Sequence, residues 1–443
     1  MERSITLEVS ALLSENGFSL DELVIKTKEL FDREGMAGFV GLLLELIDAY
    51  LCWKLVHKTG SWQPDPCCDH PAYELDQRID RRLRTSVGTV HIRWRRLRCT
   101  HCGRSFLPLR EFLGLARYQS KSRELERIVT EVVAEQNYRR TSRHLALIGM
   151  IPVPKSTAHR WVARSDCDEL PTPDKTLQGL LVDGTGYKRR PDARAGINNR
   201  GELRVALGIQ PDGRILPLGT WSGKSWEEIG HALTPAAETK PVAEVLISDG
   251  EQGLAEGLAE LINSHQRCHW HQTHDLGYFM WRDGAPLAVR REMQHQLSGI
   301  IGIELPEQDF QAVSAADKAS LEQTTVAAEQ KLNDLVSELI GKGYHQAASY
   351  IRNAKEKLFT YVRFWLKYGL VTPRVSSLIE RMMREIGRRL KRIAFGWSES
   401  GAAKMARIII KRFTNAGEWD AYWAKQLRIT GQVRLVYNGV QAT

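Results

Sequence analysis

Leu180-Leu181-Val182-Asp183-Gly184-Thr185 and, 66 positions later, Val245-Leu246-Ile247-Ser248-Asp249-Gly250 are the two stretches on which the fold reading turns. In each an apolar triplet leads to an Asp followed by Gly, directly in the first and after Ser248 in the second. Such runs read as strands buried on both faces, the kind a sheet flanked by helices contains. An acid just past them sits at the carboxyl edge of the sheet, where ligands of α/β folds bind. Two acids at neighbouring edges repel and raise each other's pKa unless a cation neutralises them. Oxygen-only ligands of this kind fit Mg2+ or Mn2+. The third acid is Glu380 in Ser376-Ser377-Leu378-Ile379-Glu380-Arg381-Met382-Met383. There Ile379, Met382, Met383, Ile386, Leu390 and Ile393 form an apolar helical stripe with Glu380 on its border. Glu385 is the competing choice, but it falls about 140° further around the helix. Two metals held by such a trio activate an oxygen nucleophile and stabilise the leaving oxygen of a phosphodiester.

Around these acids the texture is that of an α/β core. Residues 203–209 and 215–218 read as further strands, with helices from about residue 225 and after Gly250. Residues 274–370 read as helical throughout. Between the second and third acids, Arg267-Cys268-His269-Trp270-His271 places Cys268 and His271 at ligand-like spacing. On a strand they would face opposite sides, so joint ligation requires a turn. They are candidates for buttressing the acids or contacting phosphate.

Upstream, Cys67-Cys68-Asp69-His70 precedes Cys99-Thr100-His101-Cys102 by about thirty residues, joined by alternating strands such as Thr89-Val90-His91-Ile92-Arg93-Trp94. Cys67, His70, Cys99 and Cys102 read as a structural Zn2+ site of the ribbon type, with Cys68 able to replace Cys67 and His101 a further substitute. Arg81, Arg82, Arg84, Arg93, Arg95, Arg96 and Arg98 make the ribbon a candidate DNA grip. Residues 137–147, a turn at 149–154 and residues 156–162 then read as a helix-turn-helix. Ala146, Leu147 and Ile151 are expected to pack against Ala158, Trp161 and Val162. Lys155, Ser156, Thr157, His159 and Arg160 would face base edges and phosphates.

The chain has 443 residues, 62 Lys plus Arg against 53 Asp plus Glu, a formal charge of +9, and 42% hydrophobic residues. That is enough apolar material for sizeable cores and excludes a disordered tail. The positive excess is local. Residues 81–121 hold eleven basic residues against one acid, Glu111, and residues 375–415 hold ten against Glu380, Glu385 and Glu399. Two such clusters, Arg384 and Arg388 in the second, point to double-stranded DNA. The greasiest run, residues 39–52, is interrupted by Glu45 and Asp48 and is too short to span a bilayer. Seven cysteines make no disulfide scaffold, Cys52 and Cys167 reading as plain thiols, and residues 1–15 show no apolar signal segment. The expectation is an intracellular, cytoplasmic, basic protein of several domains.

The order and spacing of Asp183-Gly184-Thr185, Ser248-Asp249-Gly250, the C-x2-H element at Cys268 and His271, and Ile379-Glu380-Arg381 resemble the Mutator-like superfamily of bacterial insertion-sequence DDE transposases. The ribbon, Phe106-Leu107-Pro108-Leu109, and Gly396-Trp397-Ser398-Glu399-Ser400-Gly401 before a final helix strengthen the likeness. The resemblance implies an RNase H-like catalytic core with an all-helical insertion between Asp249 and Glu380, which lie 131 positions apart. It implies that Asp183, Asp249 and Glu380 hold Mg2+ or Mn2+, and that the protein acts on transposon ends and target DNA as a homo-oligomer. The expected layout is a helical region (1–58), zinc ribbon (59–112), helix-turn-helix (113–170), core (171–273), helical insertion (274–370) and core end with tail (371–443). Two other readings remain at this level: a structure-selective nuclease on the same core, and a non-catalytic zinc-ribbon and helix-turn-helix regulator. A domesticated, immobile copy is a weaker one.

Overall fold

The computed structural model describes residues 35–59, 62–173, 176–191, 199–234, 242–392 and 396–428, with a few positions between 20 and 31. Leu7, Leu12, Leu13, Phe18 and Leu23, expected to be helical, and Ile393 of the apolar stripe lie outside these residues. The chain divides into two units, one of residues 1–164 with 423–443, the other Ser165–Tyr422. No helix among the described residues is long and apolar enough to cross a membrane.

In the first unit, helix α1 (Met36–Val56) packs on an antiparallel hairpin of β1 (Tyr73–Thr85) and β2 (Gly88–Cys99), extended by the short β3 (Ser105–Phe106). In β2, Val90, Ile92 and Trp94 are buried while His91 and Arg93 face out, the period-two alternation of a half-covered sheet. Beyond Arg96 the phase flips and Leu97 and Cys99 are buried. The flip coincides with a bulge at Asp76, where the β1–β2 register shifts. Ala37 and Leu51 of α1 join Leu83, Val90, Ile92, Trp94 and Leu109 in one cluster. Into this apolar contact α1 sends Asp48, fully buried, whose Oδ2 accepts from the Arg95 backbone N–H at 3.0 Å and its Nη1 at 3.1 Å. Arg95 therefore ties α1 to the hairpin.

After the short α2 (Pro108–Phe112) come three helices, α3 (Arg123–Glu135), α4 (Tyr138–Leu147) and α5 (Lys155–Arg164), which pack on one another. Ser122 and Asn137 cap α3 and α4 by accepting the Leu125 and Arg140 N–H groups. Gly149, at φ 79°, ends α4 in the left-handed conformation that glycine adopts freely. The inward set differs from the expected one. Leu145, Thr141, Val153, Ala158 and Val162 are buried, whereas Ala146 is exposed and Leu147 is 78% exposed. Leu145 and Thr141 are one turn apart on α4, so they define its inner face and leave Leu147 outside.

The second unit is built on a five-stranded mixed sheet of order β6-β5-β4-β7-β8. Its strands are β4 (Leu177–Lys188), β5 (Arg200–Ile209), β6 (Ile215–Ser222), β7 (Ala243–Ser248) and β8 (Ile262–Arg267). Central β4 pairs antiparallel with β5 and parallel with β7. Its Leu180, Leu181 and Val182 are all buried, as strands covered on both faces require. Leu180 and Val182 join Trp226 and Ile229 of α6 (Trp226–Leu233) on one face, with the short α7 (Leu254–Gly257) beyond. α13 (Ser377–Leu390) packs on β4, and α14 (Glu399–Thr414) packs on β6; α15 (Ala416–Leu427) follows.

Between β8 and α13 lie five helices: α8 (His269–Arg282), α9 (Leu287–Ile301), α10 (Ala315–Gly341), α11 (His345–Ala354) and α12 (Thr360–Tyr368). They share their own core, centred on Leu276, Leu297, Leu332, Ile351, Phe359 and Trp365. A few polar groups fasten this helical body to the sheet. Buried Gln266 donates to the Leu358 carbonyl at 3.1 Å and accepts from the Tyr361 N–H at 2.8 Å. His269 Nε2 lies 2.8 Å from the same carbonyl, and the Thr360 hydroxyl donates to the His265 carbonyl at 2.8 Å.

Asp48→Ala would strand the Arg95 N–H and guanidinium without their acceptor. It is expected to cost about 2–4 kcal/mol, and Asp48→Asn less, in urea denaturation of the intact protein.

Candidate functional site

The parallel register pairs Leu181 with Ile247, which sets Asp183 and Asp249 each two residues further along neighbouring strands. Asp249 follows the end of β7 as expected, but Asp183 does not end its strand: β4 continues to Lys188, and Asp183 pairs with Val205 of β5. Local hydrogen bonds orient both carboxylates. Asp183 Oδ1 accepts from the Gly184 N–H at 2.7 Å, and Asp249 Oδ1 accepts from the Glu251 N–H at 3.0 Å, an Asx turn. Gly250, inside that turn and at φ 82°, leaves no room for a Cβ because the Arg267 guanidinium fills that space. Both the conformation and the packing demand glycine there.

The third acid arrives from α13. The Ser376 hydroxyl, at the entry to that helix, donates to Glu380 Oε1 at 2.8 Å. The same hydroxyl oxygen lies 3.1 Å from Cys268 Sγ and 3.4 Å from His271 Nδ1. Cys268 and His271 do not lie along a strand. β8 ends at Arg267, and Cys268 is the residue that opens α8, so the two share the first helical turn on one face. Ligand atoms of Cys268, His271 and Glu380 all lie within 4.8 Å of one another, with His271 Nδ1 3.9 Å from Glu380 Oε1. Backbone bonds complete the joint: Cys268 N–H to the Ser248 carbonyl at 2.8 Å and His269 N–H to the Arg374 carbonyl at 2.9 Å. Glu385 instead pairs with Arg388 at 2.9 Å.

The electrostatics follow from this crowding. Burial, and then the charges of Asp249 and Glu380, push the Asp183 carboxyl up to about 6. Burial works against a charge on His271. The Cys268 sulfur, followed by Asp249 and Glu380, outweighs it and holds the imidazole at about 9. At neutral pH the site thus holds clustered carboxylates facing one imidazolium. Ser376 is the contributor that sequence reading did not single out. Its signal was its place four residues before Glu380, one helical turn away.

The second cluster is on the ribbon. The sulfurs of Cys67, Cys68, Cys99 and Cys102 lie within 4.8 Å of one another, a group able to hold zinc. Cys68 takes the place expected for His70, which is exposed and outside the group. The crowded sulfurs titrate apart: the Cys102 backbone N–H chiefly draws the Cys99 thiol down to about 6, while burial pushes the Cys67 thiol up to about 12 and that of Cys68 upward.

The basic residues separate into two kinds. Arg98, Lys155, Ser156, His159, Arg160 and Arg384 are exposed, with Thr157 half-buried. Arg93 pairs with Asp80, Arg96 with Asp76, and Arg388 with Glu385, while remaining partly or largely open to solvent. Arg95 is committed to Asp48. Much of the second basic cluster also turns inward. Lys404 and Arg407 converge on buried Asp168 at 2.8 Å each, buried Lys411 donates to the Glu169 carbonyl at 2.7 Å, and Arg389 is buried.

Metal analysis of the purified protein is expected to return about one zinc per chain, held by four ligands. Cys68→Ser should lose that zinc and His70→Ala keep it; zinc retained in the first and lost in the second would restore histidine as the ligand.

No family model matches the chain, and no curated protein matches it. Among solved structures the chain is similar to the Drosophila P element transposase strand transfer complex, at 14% identity and a TM-score of 0.37, over 68% of this chain and 94% of that one.

Proposed function

We propose that the chain is a DNA transposase of the DDE type, a Mutator-like insertion-sequence enzyme with an RNase H-like core. The observation that supports this reading is the placement of Asp183 in β4, Asp249 just past the neighbouring parallel strand β7, and Glu380 in the first turn of a late helix packed on β4. Burial first, and then the charges of Asp249 and Glu380, raise the Asp183 carboxyl to about 6. The mixed sheet, and the helical body between the second and third acids, support the core assignment.

The carboxylates fit hard divalent cations of the Mg2+ or Mn2+ class. They are acceptor-only oxygen ligands, and the burial and repulsion that raise the Asp183 pKa are costs that a bound cation would offset. Bound there, such ions supply nucleophile activation and leaving-oxygen stabilisation for phosphodiester chemistry. The chain's own residues do the rest. Ser376 and the first turn of α8 hold Glu380 in place. Protonated His271 offers a positive partner to a scissile phosphate. In the other unit, the four-cysteine ribbon stiffens the Arg-rich hairpin. Lys155, Ser156, Thr157, His159 and Arg160 open the second helix of a helix-turn-helix that reads double-stranded transposon ends. Arg93, Arg96, Arg98, Arg384 and Arg388 supply phosphate contacts, and pairing two ends calls for a homo-oligomer.

Asp183→Asn tests this directly. End cleavage and strand transfer with Mg2+ should be abolished while duplex binding is retained; retained cleavage removes Asp183 from the mechanism. Stability offers a second readout. The Asp183 pKa is raised on folding, so its contribution is fully present below about pH 4 and is lost as pH rises through about 6. Above that pH the buried charge costs up to about 3 kcal/mol. In EDTA at pH 8, Asp183→Asn should therefore melt higher than the wild type. Added Mg2+ should raise the melting temperature of the wild type more than that of the variant.

A further inference from the structure

α8 runs directly out of the candidate catalytic site, and its solvent face is made of rings. Five of its positions are exposed: Trp270, His274, Tyr278, Trp281 and Arg282. Trp270 is 49%, Tyr278 53% and Trp281 57% exposed, a heavy apolar load for one solvent face. Their spacing of four, four and three keeps them on a single stripe. Trp270 and His274 stack with centroids 4.7 Å apart and planes 10° apart, and Tyr278 lies 5.9 Å from Trp281. At its start the stripe joins the acidic cluster. The Trp270 ring meets His271 edge-on at 4.8 Å, and His271 lies 3.9 Å from Glu380.

We propose that this stripe is a stacking platform for unpaired bases of a DNA strand leaving the carboxylate cluster. The platform extends the proposed transposase reading and rests on it. Flat π surfaces in a row bind the faces of bases, and every base has such a face. A closed duplex hides those faces in its stack, so it gains little from exposed rings. It is held through its phosphates, and this face of α8 offers one cation, Arg282, at the end of the stripe. The eleven-residue span from Trp270 to Trp281 covers roughly 16 Å, about five steps of a stacked strand. Its continuity with His271 places the first bases next to the phosphate chemistry proposed for that cluster. A second copy of the chain is the competing occupant.

The test compares intact wild-type protein with the Trp270→Ala/Trp281→Ala and Trp270→Phe/Trp281→Phe variants, all in EDTA. Fluorescence anisotropy measures binding to a labelled thymidine oligomer of roughly 20 nucleotides and to a duplex of the same length. The Ala pair should bind the single strand about tenfold or more weakly, bind the duplex within about twofold of wild type, and regain single-strand binding in the Phe pair. Unchanged single-strand affinity overturns the platform, as does an equal loss on both substrates. So does a changed sedimentation coefficient with single-strand binding intact, which would assign the face to a second copy. The two readings fail separately. Wild-type protein that never cuts duplex ends with Mg2+ while the Ala pair loses single-strand binding sinks the transposase and leaves the platform. Cleavage that depends on Asp183 alongside an Ala pair that binds like wild type does the reverse.

Discussion

Like charges gathered at one partly buried corner govern the second unit. Asp183, Asp249 and Glu380 repel, and burial makes the repulsion costlier than it would be in water. The chain holds them by means that do not depend on their attraction to anything. Parallel pairing of β4 with β7 sets the two aspartates abreast, and backbone N–H groups of Gly184 and Glu251 fix their orientation. The energy for this comes from the apolar strands behind them, which are covered on both faces. His271 is the resident counter-charge, held protonated past neutrality by the sulfur and carboxylates around it. An imidazolium is a soft brake: it offsets part of the repulsion, yet it can be displaced or turned toward another anion.

Bringing Glu380 home is the harder problem, because the five-helix body separates it from Asp249. The solution is a joint at the point where that body is entered and left. Cys268, at the entrance, bonds back to Ser248 beside Asp249 and packs its sulfur against Ser376 at the exit. Gln266 and Thr360 fasten the body to β8 from the other side. The C-x2-H element is therefore the hinge pin of the insertion as much as part of the site. It needs a small buried thiol and a longer polar ring because it must touch both the strand end and the helix start.

Where side-chain periodicity is forced by burial, the sequence was legible. Leu180-Leu181-Val182 and Val245-Leu246-Ile247 lie in β4 and β7, and residues 274–370 contain helices and no strand. β8 escaped because Ile262-Asn263-Ser264-His265-Gln266-Arg267 has the composition of a loop. It is an edge strand held by backbone pairing with β7, and its one fully buried side chain, Gln266, is polar. That omission left Cys268 and His271 without the helix start that unites them. The inner face of α4 was misread by a fraction of a turn, which decides between Leu145 and Leu147. Cys68 replaced His70 because adjacent cysteines at a turn can both point inward, which spacing alone does not distinguish. The pairing of Asp48 with Arg95 lay 47 residues apart, beyond any local pattern.

The same long-range pairings change what the charge count means. Both basic clusters looked alike as strings, yet Lys404, Arg407, Lys411 and Arg389 turn into the second unit, to Asp168, to backbone carbonyls and into the core. In the first unit Arg82, Arg84, Arg98, Lys155 and Arg160 face solvent. Outward positive charge on the hairpin and on the short helix after Gly149 suits a long, regular polyanion. A corner of carboxylates suits the opposite, a small cation. The inward turn of Lys404, Arg407, Lys411 and Arg389 removes four charges of that cluster from any outward-facing patch, so the charge count of a sequence string overstates what its surface presents.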